Sequence, residues 1–251
     1  MQRYFVPEEG WYEHQVELTG NDARHIRVVM RNKISDKVIC IRHDGHVALC
    51  CITNISSDKI TLQIEKWLDE NNELPIHVTI AQALPKGSKI DLILQKGTEF
   101  GANEFCFFNA DRSIAKWDNR KSKQKLTRYR KIVKEASEQC ERNKIPIVSE
   151  PVPLVKLLEQ KHEYDIMLFA YEAEAKTNNF SSFANQLKQV KLGSKLMIFI
   201  GPEGGFSDNE VSLFQEHRIK PVRLSPRILR TESAPLYALA SISFHFEESE
   251  V

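Results

Sequence analysis

Short runs in which apolar and polar residues alternate open the chain: Arg3–Val6, His14–Leu18, Lys37–Arg42, Val47–Thr53 and Ile60–Trp67. A period of two sends successive side chains to opposite faces, so each run predicts a half-buried β-strand. Asp44-Gly45 between two of these runs is a hairpin signal. Asn21, followed by Asp22, is expected to cap a short helix that ends near Met30. Several short strands with one helix predict a small barrel. The polar stretch LDENNELP, ending in Pro75, reads as a linker.

Beyond His77 the rhythm changes. Nearly continuous apolar runs appear at His77–Leu84, Glu104–Phe108, Asp165–Ala170, Leu196–Ile200 and Pro221–Leu224. Between and after them lie helical patterns: Ser88–Phe100 closed by Gly101, Lys123–Arg142, Val152–Lys161, Asn178–Val190, Ser207–His217 and Ala234–Phe246. Apolar strands alternating with amphipathic helices predict an α/β fold with a mostly parallel sheet. Ligands of such sheets sit beyond the carboxyl ends of the strands. Two loops there stand out. The first is IFIGPEGGFSDNE at Ile198–Glu210, where an apolar strand runs into a glycine turn and then a helix start with the capping-box spacing Ser207-x-x-Glu210. The second is LSPRILRTE at 224–232, directly after the run at 221–224. The two are expected to face one pocket.

The chemistry of the glycine turn is restrictive. It has neither the Gly-Lys-Ser/Thr of a phosphate loop nor G-x-G-x-x-G. Glu203 would repel a phosphate and Pro202 lacks an amide donor, so a neutral or cationic ligand fits better. The same spacing also suits a plain surface turn.

Composition adds few constraints. With 251 residues and near-neutral net charge, the chain is long enough for one large domain or two modest ones. It lacks an apolar run of the length a transmembrane helix needs, and MQRYFVPEEGW does not read as a signal peptide. Five cysteines without a C-x-x-C read as reduced thiols of a cytoplasmic protein. His43, His46, Cys50 and Cys51 match no zinc spacing, so no metal is expected. Charge is local rather than global: positions 112–144 hold twelve Lys or Arg against four acids. Such a block is either a polyanion footprint or a solvated helix face.

MQRYFV, HIRVVMRNKISDKV, ALPKGSKIDLILQKGTEFGANEF, KIVKEASEQCERNKIPIV, IFIGPEGGFSDNEV and LSPRILRTESAPLYAL, in this order, carry a resemblance over essentially the whole length. The chain resembles the RsmE family of SPOUT methyltransferases, which methylate N3 of a uridine in 16S ribosomal RNA. The resemblance implies a PUA-like β-barrel at 1–72 that grips RNA. It further implies a SPOUT α/β domain at 73–251 whose C-terminal part is threaded as a trefoil knot. It also implies a homodimer with the cofactor pocket near the subunit interface, and S-adenosylmethionine as cofactor; the apolar last helix, APLYALASISFHF, suits either that interface or ordinary core packing.

By the same resemblance Ile200, Gly201, Glu203 and Gly205 line the cofactor from one loop. Leu224, Ser225, Ile228 and Leu229 line it from the other, and Leu168, Phe169, Ala170 and Tyr171 from a third side. Ser225 stands where the family usually has glycine, and serine adopts a positive φ at greater cost. Methylating N3 requires its proton to leave. Glu232 is the candidate for contacting or deprotonating the imide, and equally suits a helix N-terminal acid; Arg230 is the candidate partner for charge developing on the uracil oxygens. N3 lies on the pairing edge, so the target base must be unpaired or flipped out. Arg3, Arg24, Arg31, Lys86, Lys96, Arg112, Arg128 and Arg142 are the candidate RNA contacts, with Lys89 among the phosphate-holding lysines. The small ribosomal subunit is the expected partner. A SPOUT enzyme acting on transfer RNA or on another ribosomal site, and a non-catalytic assembly protein, are the rival readings.

Overall fold

The computed structural model describes residues 1–114, 117, 119–171 and 182–249, with backbone alone at 119–121. The chain forms two units.

The first unit comprises Met1–Glu73 together with Ser137–Ile145. Its strands are β1 (Arg3–Phe5), β2 (Gln15–Thr19), β3 (Lys37–Ile41), β4 (Val47–Ile55) and β5 (Lys59–Leu68), in the order β1-β3-β4-β5-β2. Alternation fixes the register: Val16 faces Leu62 and Leu18 faces Ile60, all four buried in one cluster with Tyr4, Ile26, Val38 and Ile52. Register slips between Leu49 and Cys50, and between Ile52 and Asn54, bend the long β4–β5 pair. Among the described residues β1 ladders only with β3, so the sheet is a half-barrel, open between β1 and β2. The short helix α1 (Gly20–Arg24) continues as a wider turn, His25–Met30. The predicted caps Asn21 and Asp22 lie inside the helix. Strand β2 runs on to Thr19, which takes the cap position without a side-chain bond.

In the second unit, Leu74–Ala136 and Pro146–Val251, the strands are β6 (His77–Ala83), β7 (Glu104–Asn109), β8 (Ile147–Val148), β9 (Val152–Pro153), β10 (Ile166–Ala170), β11 (Lys195–Ile200) and β12 (Lys220–Val222). They run in the order β12-β10-β11-β6-β7-β8, with β9 also on β7, and every pairing is parallel. Helices cover both faces. On one, Ile90, Leu94, Tyr129, Val133, Ala238 and Leu239 pack against Val78, Ile80, Leu168 and Ile198. On the other, Leu154, Leu157 and Phe214 pack against Ala81, Phe169 and Phe199. The helices are α2 (Lys89–Glu99), α3 (Asn119–Gln139), α4 (Leu154–Leu158), α5 (Phe183–Leu187), α6 (Asp208–Glu216) and α7 (Ser233–Ser243).

The helix expected at 152–161 is shorter. Val152–Pro153 forms β9, and the α-helical hydrogen bonding of α4 gives way to a tighter turn at Glu159–Glu163. Proline has no N–H to give a helix interior and stands just before its start. Residues 178–181 of another predicted helix lie outside the described residues, as do the side chains of Lys116, Arg120 and Lys121 in the basic stretch.

Candidate active site

Parallel strands deliver their C-terminal loops to one end of the sheet, and four such loops matter here. Strand β11 ends at Ile200 and enters the turn 201–206, closed by the Gly205 amide donating to the Pro202 carbonyl at 3.0 Å. Gly205 has φ +67, a left-handed conformation that glycine adopts without steric penalty. The capping box is formed. The Glu210 amide donates to Ser207 Oγ at 3.2 Å, and the Ser207 amide donates to Glu210 Oε2 at 2.8 Å. The loop after β7 clips this turn from outside. The Asp111 amide reaches Glu210 Oε1, Ser207 Oγ reaches Asp111 Oδ2 at 2.5 Å, and Arg112 donates to the Gly204 carbonyl at 3.1 Å.

The second loop follows β12. Ser225 does not adopt a positive φ, so the expected conformational cost does not arise; its Oγ accepts from the Arg227 amide at 3.2 Å. Thr231 ties the two loops together. Its hydroxyl donates to the Gly201 carbonyl at 2.7 Å and accepts from Gln82 Nε2 at 3.0 Å. Both Thr231 and Gln82 are buried.

Between the loops lies a cavity of about 310 Å³. Ile200, Gly201, Glu203 and Gly205 line it from the glycine turn, and Leu224, Ser225, Ile228, Leu229 and Arg230 from the second loop. Ala170 and Tyr171 close a third side. Leu168 and Phe169 are corrections: both are fully buried, Leu168 in one core layer and Phe169 stacked on Phe214 in the other. In a sheet covered on both faces, strand residues before the last position point into the layers rather than out of the end.

One lining residue is a surprise. Lys89, at the start of α2, points into the cavity, with Nζ 2.7 Å from Glu203 Oε1 and 3.1 Å from Glu232 Oε2. That Glu232 oxygen is buried and has no hydrogen-bond partner beyond this ion pair. Burial works to raise the Glu203 pKa. Hydrogen bonds from Lys89, from its own backbone and from the Lys86 amide outweigh it, and the carboxyl titrates below its ordinary value. The same contact with Glu203 holds Lys89 above its ordinary value despite burial. Glu232 is not among the residues that line the cavity and is joined to it through Lys89. Arg230 faces the cavity, and its guanidinium makes no hydrogen bond or ion pair with a described residue. From the sequence Lys89 groups with phosphate-holding lysines; its place as the first residue of the helix that follows β6 is the available signal.

The candidate RNA contacts separate into groups. Arg3 and Arg142 are corrections. Both are buried: Arg3 pairs with Glu70 at 2.6 Å and Glu141 at 3.2 Å, and Arg142 with Glu73 at 2.5 Å. Taking either out to a phosphate would strand a buried carboxylate. Lys96 pairs with Glu99 and Arg128 with Asp91 on the surface, where such pairs are readily exchanged. Arg24, Arg31, Lys86 and Arg112 are exposed. Among the described residues no three His, Cys, Asp or Glu side chains converge; His43 faces Glu8 and His46 faces Asp44. No helix of the described residues is long and apolar enough to cross a membrane.

Comparison with known proteins adds three findings. Residues 72–243 match the RNA methyltransferase domain and residues 18–65 the RNA methyltransferase PUA domain. Ribosomal RNA small subunit methyltransferase E of Bacillus subtilis (strain 168) is 42% identical over 253 residues, covering 98% of both chains, and that of Synechocystis is 33% identical over 96% of this chain and 77% of its own. The crystal structure of ribosomal RNA small subunit methyltransferase E from Neisseria gonorrhoeae, bound to S-adenosyl methionine, superposes with a TM-score of 0.85 at 25% identity over 98% of both chains.

Proposed function

The chain belongs to the ribosomal RNA small subunit methyltransferase E family, and from that premise we propose that it methylates N3 of a uridine in 16S ribosomal RNA with S-adenosylmethionine as donor. The observation that carries this reading is the cavity between the glycine turn and the 223–230 loop. Its chemistry fits the donor. Ile200, Leu224, Ile228 and Leu229 offer apolar walls for an adenine, the turn backbone offers amides and carbonyls, and Glu203 offers negative charge, with Glu232 next to it behind Lys89. Bound there, the donor supplies an electrophilic methyl group on a positively charged sulfur.

This chain's residues do the rest. The two loops, pinned by Thr231, fix the direction from which N3 must approach, and so convert an encounter into an aligned displacement. Glu232 accepts the N3 proton, and Arg230 meets charge developing on a uracil oxygen. Residues 1–72 serve as the RNA-gripping barrel and 73–251 as the catalytic domain, threaded as a trefoil knot. The enzyme works as a cytoplasmic homodimer on the small ribosomal subunit. Support for the dimer comes from a second groove, lined by Phe183, Leu187, Pro226, Tyr237 and Phe244, that borders the cofactor loop and leaves Phe244 64% exposed.

The test is to incubate the protein and S-adenosylmethionine separately with undermethylated small subunits and with transfer RNA, then digest and weigh the nucleosides. N3-methyluridine from the subunits alone is expected. Methylation of transfer RNA, or at ribose, would replace the reading with another. Glu232→Gln and Arg230→Ala should each slow turnover about 100-fold, and unchanged turnover would remove both roles.

A further inference from the structure

Lys89 is the one ammonium directed into the cavity among the described residues, and it was carried there by α2, not by either cofactor loop. An ammonium has three N–H donors. One is hydrogen-bonded to Glu203 at 2.7 Å, and Glu232 adds an ion pair at 3.1 Å, which leaves at least one uncommitted. A lone cation would oppose a positively charged donor. Flanked by two carboxylates, this one leaves the cluster with a net negative charge, so it can sit near the sulfur without repelling it.

The acceptor's chemistry states what such a group is for. Once its N3 proton leaves, uracil carries its charge on N3 and on the two carbonyl oxygens that flank it. Arg230 can meet one oxygen, and the other then has no assigned partner. We infer that Lys89 donates its free N–H to the second uracil oxygen, so that Lys89 and Arg230 bracket the imide from its two sides. The inference rests on the uracil-N3 reading of the site.

The step balances. The N3–H bond breaks and the proton passes to Glu232. The N3 electron pair forms the bond to the methyl carbon, and the carbon–sulfur pair stays with sulfur, which becomes a neutral thioether. Protonation removes the charge on Glu232 that held Lys89 from behind, so the ammonium turns more fully toward the uracil oxygen as that oxygen gains charge. The contact is therefore stronger in the transition state than in the ground state, which is the condition for raising the rate of chemistry.

The experiment compares the full-length wild type with Lys89→Met and Lys89→Arg. It measures single-turnover methylation of undermethylated small subunits, donor affinity by calorimetry, and the rate across pH. Lys89→Met is expected to slow the methylation step about 100-fold at neutral pH, the loss typical when one oxyanion donor is removed. Its donor affinity should stay within about threefold or tighten, because a like charge has been removed from the donor's surroundings. The deficit should narrow between about pH 7 and pH 9, as hydroxide substitutes for the missing charge in promoting loss of the N3 proton. Lys89→Arg, which keeps a cationic donor, should recover part of the rate.

A Lys89→Met rate within threefold of wild type overturns the assignment while leaving the N3 reading intact. A parallel loss of donor affinity and rate with no pH dependence also overturns it, and makes Lys89 a strut for Glu203. A wild type that forms no N3-methyluridine brings down the underlying reading and this inference with it.

Discussion

Thr231 shows how much of the site depends on single side chains. Its hydroxyl is the only described link that touches both the glycine turn, through the Gly201 carbonyl, and β6, through Gln82. Thr231→Val keeps the shape but removes the 2.7 Å partner of the Gly201 carbonyl and the acceptor of the buried Gln82 amide. The expected loss is about 1–3 kcal/mol of stability, the penalty for an unpaired buried polar group. A lower melting temperature together with weaker donor binding would bear this out; weaker melting with unchanged donor affinity would show that the tie does not hold the pocket. Titration gives a second handle at this scale. The folded-state pKa of Glu203 is lowered, so its contribution to stability is present above its ordinary value of 4.5 and is lost as pH falls through the lower folded value. Lys89 is raised, so its contribution is present below 10.5 and is lost as pH rises through the higher folded value. Stability of this corner should therefore be level across neutral pH, and Glu203→Gln should flatten the acid limb of a melting-temperature profile. An acid limb unchanged by that substitution would mean other carboxylates set it.

At the scale of elements, α2 packs so closely on β7 that Gly97 has no room for a side chain. A Cβ there would lie 2.8 Å from the Phe105 ring, which is itself fully buried. Alanine favours a helix by about 1 kcal/mol over glycine, whereas overpacking a core costs about 1–3 kcal/mol, so Gly97→Ala should destabilise. Because α2 also carries Lys89, the same variant should disturb the cavity. Equal or higher stability by denaturant unfolding would refute the packing argument. Much of this architecture was legible beforehand. Period-two runs located β2 to β5 to within two residues, and Ser207-x-x-Glu210 announced α6 through a cap that is present in full. What stayed hidden depends on three dimensions. The helix expected at 152–161 starts two residues late because Val152 and Pro153 make a strand contact with β7 that no local pattern encodes. Arg3 and Arg142 looked like RNA contacts because charge in a sequence carries no partner, and their carboxylates lie far along the chain at Glu70, Glu141 and Glu73. Lys89 was misjudged for the same reason, in the opposite direction: a lysine grouped with phosphate-holding lysines turned out to face the site.

At the scale of the whole molecule, two surfaces are open to partners. In the first unit Arg24, Arg27, Arg31 and Lys33 are exposed with no acid among them, beside exposed Val28, Val29 and Ile34. Arg31 is held at φ 55, an uncommon conformation for a side chain of its size. If these cations meet phosphates, subunit binding should weaken linearly with salt on logarithmic axes, and Arg24→Glu with Arg31→Glu should reduce the slope by about two while leaving donor affinity alone. A slope unchanged by the pair would move the RNA elsewhere.

The second surface is the groove beside the cofactor loop. Leu224 and Ser225 line both the cavity and this groove, with Tyr237 and Phe244 on its far wall. An exposed phenylalanine just past the end of an apolar helix and an exposed tyrosine in its middle gain most when buried against another apolar face, and a stable pairing buries upwards of about 1,000 Å². If that face is a second copy, the shared loop makes assembly and donor binding one equilibrium: a partner that buries the groove also holds the 223–226 backbone in its binding shape. Tyr237→Asp with Phe244→Asp should then shift sedimentation from dimer to monomer and weaken donor binding together, and saturating donor should push the equilibrium back toward dimer. Monomers that bind the donor as tightly as wild type would separate the two surfaces. A dimer that survives both charges would place the interface on another part of the molecule.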